Sequence, residues 1–258
     1  MTQLPAASVY APQRRSARSG LAAFMLAVGI ATLTPDCTRP MDPSAAAPIV
    51  RTSLHQHLRV IQERSEFRLQ LDGVLDDSPA IIDQPVRLQY GSDGDPLGFT
   101  LPAGNFVLLQ QYAGFVYGIR ASPQLGAAPL PDALRALREA ERVIDASGWR
   151  KAAGALGDDA VRTYAGGPNP PRDLPVVRWT GTGQKLTLSL KRTLESDAAR
   201  PLFFASVAIE DVGDAHFESY RAALHAKRRQ FGAAPGESLP VLRYWSDTVA
   251  PAPGRPHP

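Results

Sequence analysis

Two hairpin signatures, each followed by an amphipathic helix, limit what this chain can become. Residues 106–112 and 115–121 are separated by Ala113-Gly114, and a two-residue gap with Gly inside reads as a β-hairpin. These strands are apolar on both faces over part of their length, which places them centrally in a sheet. Residues 176–180 and 185–192 flank Gly181-Thr182-Gly183-Gln184, a second hairpin signal. Leu186, Leu188 and Leu190 alternate with Thr187, Ser189 and Lys191, which predicts one buried face and one wet face. Residues 201–210 add a strand with Phe203, Ala205, Val207 and Ile209 on one side.

The helix behind the first hairpin is predicted over 132–147. Pro131 suits a first turn, where its missing N–H costs nothing. Leu130, Leu134, Leu137, Ala140 and Ile144 form a stripe of helical period, with Arg135, Arg138, Glu139, Arg142 and Asp145 opposite. Gly148 is expected to supply a left-handed stop, with Trp149 folding back on the last turn. The second helix is predicted over 214–231, capped by Asp214, with Phe217, Tyr220, Leu224 and Phe231 buried. Lys227, Arg228 and Arg229 sit at its C-terminal end, where the helix dipole favours cations, and Gly232 ends it.

Strands followed by a helix, twice over, define an α+β fold: a mostly antiparallel sheet with helices packed on one face, in two strand-strand-helix halves. Two small domains are the alternative. The first half covers 49–150 and the second 172–247, with a flexible stretch over 151–171 between them and a disordered tail over 248–258. Smaller elements complete the reading. Residues 53–64 form a short helix capped by Ser53, burying Leu54, Leu58 and Ile61. Residues 67–71 and 86–90 alternate as strands, Asp72-Gly73 marks a turn, residues 91–96 are a loop, and residues 239–245 add a last strand.

Residues 1–36 read as a signal-like leader or membrane anchor. Residues 20–33 carry no charge and follow Arg14, Arg15 and Arg18. A run of this length is shorter than the ~20 apolar residues a spanning helix needs and fits a signal-peptide core. Residues 37–48 are a Pro-rich flexible tether. Cys37 is the chain's single cysteine, and in position it resembles the cysteine at which bacterial lipoproteins are cut and lipidated. Thr34, Pro35 and Asp36 before it depart from the residues usual at that site. The resemblance implies lipidation at Cys37; cleavage near Ala47 or at Gly29-Ile30-Ala31, retention as an uncleaved anchor, and a hydrophobic patch of a cytoplasmic protein are the alternatives. All but the last give a bacterial cell-envelope protein on the periplasmic side, membrane-anchored through the N-terminal segment or a lipid on Cys37, or else secreted.

The formal charge is +3, and it falls to +1 without residues 1–36. A nearly neutral body lacks the dense basic face that nucleic-acid binding requires. With one cysteine, no disulfide forms within the chain.

No catalytic, cofactor-binding or metal-binding set stands out. His55-Gln-His57 would share one side of a strand but diverge by about 200° on a helix. No Cys or carboxylate cluster adjoins the pair, so two solvated histidines are expected. His216 and His225 fall on opposite sides of their helix, and His257 lies in the tail. The run Gly181–Lys185 precedes a strand rather than a helix, so it is a turn and not a phosphate loop. Asp93-Gly94-Asp95 lacks the distal Glu of a calcium loop. Asp76-Asp77, Asp158-Asp159 and Glu210-Asp211 sit at element ends, where solvated acids are common. Tyr112, Phe115 and Tyr117 read as core.

The expected function is therefore non-catalytic, with the α+β body binding a protein partner in the envelope. A small-molecule or lipid binder is the first alternative and requires an apolar cavity of some hundreds of cubic ångströms. An enzyme assembled from residues distant in sequence is the second. It requires two or more of His55, His57, His216 and His225 to converge with an acid.

Overall fold

The computed structural model describes residues 47–165, 167, 172–193, 200–213 and 215–245. In chain order these form β1 (Ile49–Thr52), α1 (Leu58–Arg64), β2 (Ala80–Ile82), β3 (Arg87–Tyr90), β4 (Phe99–Thr100), β5 (Val107–Tyr112) and β6 (Phe115–Ala121). Then come α2 (Leu130–Asp145), β7 (Arg150–Lys151), α3 (Asp158–Ala165), β8 (Asp173–Gly181), β9 (Gln184–Arg192), β10 (Phe203–Asp211), α4 (Ala215–Gln230) and a 3-10 helix, Val241–Trp245. The fold is α+β with mostly antiparallel sheets. Seven strands form an antiparallel sheet in the order β2-β5-β6-β10-β9-β8-β7. A smaller sheet pairs β1 with β3 in parallel and β3 with β4 antiparallel.

The hairpins form where their turn residues allow. Ala113 and Gly114 both have positive φ, 49° and 88°, as the tight turn between β5 and β6 requires. Thr182-Gly183 makes the second turn, with Gly183 at φ 68°. β10 then lies between β6 and β9: Val207 pairs with Ala121 on one side and Leu188 on the other. Strands from both halves of the sequence thus share one sheet. The leucines of β9 and the Phe203, Ala205, Val207, Ile209 set of β10 are all buried. Ser189 and Ser206, directly opposite each other, are buried as well, so the second face is not uniformly wet there.

Helix α2 lies against β9 and β10. Its buried set is Ala133, Leu134, Leu137, Ala140 and Ile144, close to the expected stripe. Gly148 does not adopt the left-handed conformation predicted for it; the helix ends at Ala146 with φ −77°. A close approach explains the glycine instead. Its N–H donates to the Pro96 carbonyl at 2.7 Å, and an added Cβ would lie 2.7 Å from that same oxygen. Trp149 is buried against Tyr90 and donates its indole N–H to the Leu97 carbonyl at 2.9 Å.

Four further expectations are corrected. The stretch 151–171 is not simply flexible: it holds the end of β7 and helix α3, whose Val161 and Ala165 join the core. Residues 67–71 form no strand, although Leu69 and Leu71 are buried and Arg68 and Gln70 exposed as the alternation predicted. Residues 241–245 coil into a 3-10 helix because Val241 and Tyr244, three apart, both turn inward. Phe231, assigned to the buried stripe of α4, is 36% exposed. Asp214 and the leader, most of the tether and the tail lie outside the described residues. Among the described residues, no helix is long and apolar enough to cross a membrane.

Candidate functional site

The short segment before α1 is held by the β5–β6 turn. His55 N–H donates to the Val116 carbonyl at 2.7 Å, Val116 N–H to Gln56 at 3.0 Å, and Leu58 N–H to Gly114 at 2.8 Å. Helix α1 therefore starts at Leu58, later than the sequence suggested, and is capped by His57 rather than Ser53. The His57 Nδ1 accepts from the Arg59 N–H at 3.2 Å. The chain reaches this position through a left-handed residue, His55, at φ 68°. A non-glycine residue costs about 1–3 kcal/mol in that region, so something must hold His55 there.

Two side chains do. Nδ1 of His55 lies 2.8 Å from the Tyr220 hydroxyl of α4, and Nε2 lies 3.1 Å from Oδ1 of Asp211 at the end of β10. The phenol donates to Nδ1, so the neutral ring carries its proton on Nε2 and donates to the carboxylate. The ring of His216, one turn before Tyr220, lies 4.4 Å from that of His55, tilted by 43°. Phe115 lies parallel to Tyr220 at 5.4 Å, and Phe217 meets Tyr112 and Tyr117 edge-on at 5.2 Å each. Two of the four histidines thus converge with an acid, an arrangement the enzyme alternative required. Their separation in sequence hid it: nothing in a single chain marks Asp211 as the partner of a residue 156 positions earlier.

The chemistry available there is limited. Both nitrogens of His55 are engaged by protein partners, Nε2–H by the Asp211 carboxylate and Nδ1 by the Tyr220 hydroxyl, the pattern of an imidazole that is oriented by an acid and faces a hydroxyl. Burial, and then the Asp211 charge, push the Tyr220 phenol up to about 12, away from phenolate. The cluster ties the β1–α1 connection to β10 and α4. It resembles a base with its orienting acid, but without an activated nucleophile.

Burial lowers the pKa of both His55 and His57 below the ordinary 6.5. For His55, the Asp211 carboxylate opposes this and His216 reinforces it. The neutral form is thus favoured in the folded state. The unfolded chain takes up protons first as pH falls through ~6.5, so stability is full above that point and declines below it. The urea midpoint should fall between about pH 7.5 and 5.5, a window above that of the carboxylates. A His55→Asn/His57→Asn variant keeps a residue tolerant of positive φ and a good cap. It should flatten the decline; an unchanged slope would reassign it to other groups.

The other candidates stay apart. His225 is exposed, and Gly181–Gln184 is a hairpin end. Asp93 and Asp95 hold the 91–96 loop, Asp95 through the Leu97 N–H. Asp158 pairs with Arg138. Two acids depart from the solvated expectation: Asp211 holds His55, and Asp76 is fully buried, chelated by Arg228 and bonded by the Tyr244 hydroxyl. Tyr112, Phe115 and Tyr117 are half-buried rather than core. Among the described residues no group of three or more His, Cys, Asp or Glu is arranged to hold a metal ion. Cys37 and His257 lie outside the described residues.

A cavity of about 450 Å³ opens where the start of α2, the end of α3 and the start of β10 meet. Pro129, Leu130, Ala165, Pro201, Leu202 and Phe203 give it apolar walls, and Arg162 and Arg200 complete the lining. The volume falls within the ~300–1,000 Å³ of small-molecule sites. The sequence marks Leu130 and Phe203 only as buried positions of a helix and a strand, because three distant segments contribute two to four residues each to the cavity. Comparison with protein-family models, curated proteins and solved structures gives no match to the chain.

Proposed function

We propose that the chain is a non-catalytic binding protein of the bacterial cell envelope whose ligand is an apolar small molecule or lipid. The cavity beside α2 carries this reading: its walls are apolar, it is open, and its volume suits one small molecule. The Tyr220 phenol beside His55 is pushed up to about 12, away from a nucleophilic phenolate, which argues against catalysis at the histidine cluster. The basic residues, the uncharged run and Cys37 at the start of the chain support export to the periplasmic side.

A protein partner is the second reading. Exposed Leu75, Phe231 and Leu242 come from neighbouring segments: Leu75 is bridged to Pro240, and Phe231 packs on Tyr244. Such clustered apolar residues are a usual mark of a contact surface.

Native mass spectrometry of the full chain, recovered from membrane and periplasmic fractions, tests both. With hexadecanol in excess, wild type should carry the mass of a single alcohol, and folded Leu202→Asp should not. A chain that stays empty overturns the cavity reading. A protein-sized adduct instead favours the partner. The denatured mass of the same sample reads the N-terminus: a start at or after Cys37, or an intact chain in the membrane fraction, supports the envelope. An intact chain confined to the cytosol overturns that placement.

A further inference from the structure

Resting on the cavity reading above, we infer that the ligand is a single-chain amphiphile with an anionic carboxylate head, of the long-chain fatty-acid class, and that Arg162 and Arg200 hold its head. Leu130, Ala165, Leu202 and Phe203 provide the walls for the chain. The two guanidinium groups come from different elements, Arg162 from α3 and Arg200 from the segment leading into β10. Both line the cavity and both are exposed.

Other arginines of the same region are committed. Arg138 of α2 pairs with Glu141 and Asp158, and Arg135 with Asp132. Neither Arg162 nor Arg200 forms an ion pair among the described residues. Two arginines lining one cavity suit a carboxylate, which takes paired N–H donors from a guanidinium. A neutral lipid would leave this charge unanswered, and a cationic one would be repelled.

The test uses the full chain and three probes of equal chain length: palmitate, hexadecanol and hexadecylamine. Affinities come from isothermal titration below the critical micelle concentrations. Palmitate should bind at least about tenfold more tightly than hexadecanol, the scale of one charge-assisted bond. Hexadecylamine should bind more weakly than either. Arg162→Gln/Arg200→Gln should bring palmitate down to the alcohol while leaving hexadecanol unchanged. If palmitate and hexadecanol bind equally to wild type, or the amine binds best, the carboxylate assignment falls and the apolar site stands. If none of the three binds, the cavity is filled by the chain itself or by a second copy, and both readings fall.

Discussion

Leu137→Asp is expected to leave the chain largely unfolded at neutral pH. Leu137 is 0% exposed and sits midway along α2, where that helix meets β9 and β10. The substitution removes a buried isobutyl group, worth about 2–5 kcal/mol in Leu→Ala comparisons. It also places a carboxylate where no cation is positioned, so the group must either stay charged in an apolar medium or take up a proton. The sum approaches or exceeds the ~5–15 kcal/mol that holds a typical domain together. Circular dichroism and a urea melt provide the check. Leu137→Ala should remain folded with a lower midpoint. A Leu137→Asp protein with a midpoint near wild type would show that α2 is not integral to the sheet's core.

Arg228→Ala should cost about 3–5 kcal/mol, the usual range when one member of a buried ion pair is removed. The position in the last turn of α4 would by itself suggest only a helix-dipole contribution of about 0.3–1 kcal/mol. The structure gives a different basis for the larger figure. Nε and Nη2 of Arg228 grip the two oxygens of fully buried Asp76 at 2.9 and 2.5 Å, and Nη2 also reaches Asp77 at 2.8 Å. The Tyr244 hydroxyl donates to the same carboxylate. These contacts raise the pKa of Arg228 further, and burial, then Asp76, raises that of Tyr244, so both remain protonated donors. Without Arg228, Asp76 is a buried charge held by one phenol. Asp76→Asn removes that charge, so the double variant Asp76→Asn/Arg228→Ala should be more stable than Arg228→Ala alone. Urea unfolding of the three proteins decides it. A loss below about 1 kcal/mol for Arg228→Ala would return the residue to the dipole role.

Local signals were readable wherever a few adjacent residues determine the outcome. Ala113-Gly114 and Thr182-Gly183 can adopt turns that few other pairs adopt, and the α2 stripe repeats at helical period for four turns. Helix α3 was missed because DDAVRTYA offers only Val161 and Ala165 to a core, between glycines and prolines that suggest a loop. Residues 67–71 misled in the opposite way. Their alternation reports which side chains are buried, and burial alternates in any extended segment, whether or not a neighbour completes a ladder. The candidate site was almost wholly illegible. The partner of His55 is 156 residues away, that of Asp76 is 152 away, and the cavity draws on three segments. Such pairings follow from the sheet order, which no local window contains.

That order has a consequence for how the chain acquires its structure. β10, the last strand to be synthesised, occupies the central position of the seven-stranded sheet. Until it is made, β2-β5-β6 and β9-β8-β7 are two half-sheets, each with an unpaired inner edge ready to bond to anything extended. Joining them requires contacts such as Val207 with Ala121, which are distant in the chain and therefore slow to form. A protein wired in this way cannot finish folding from its N-terminus as it emerges. The seven-stranded sheet closes only once β10, Phe203–Asp211, has been made.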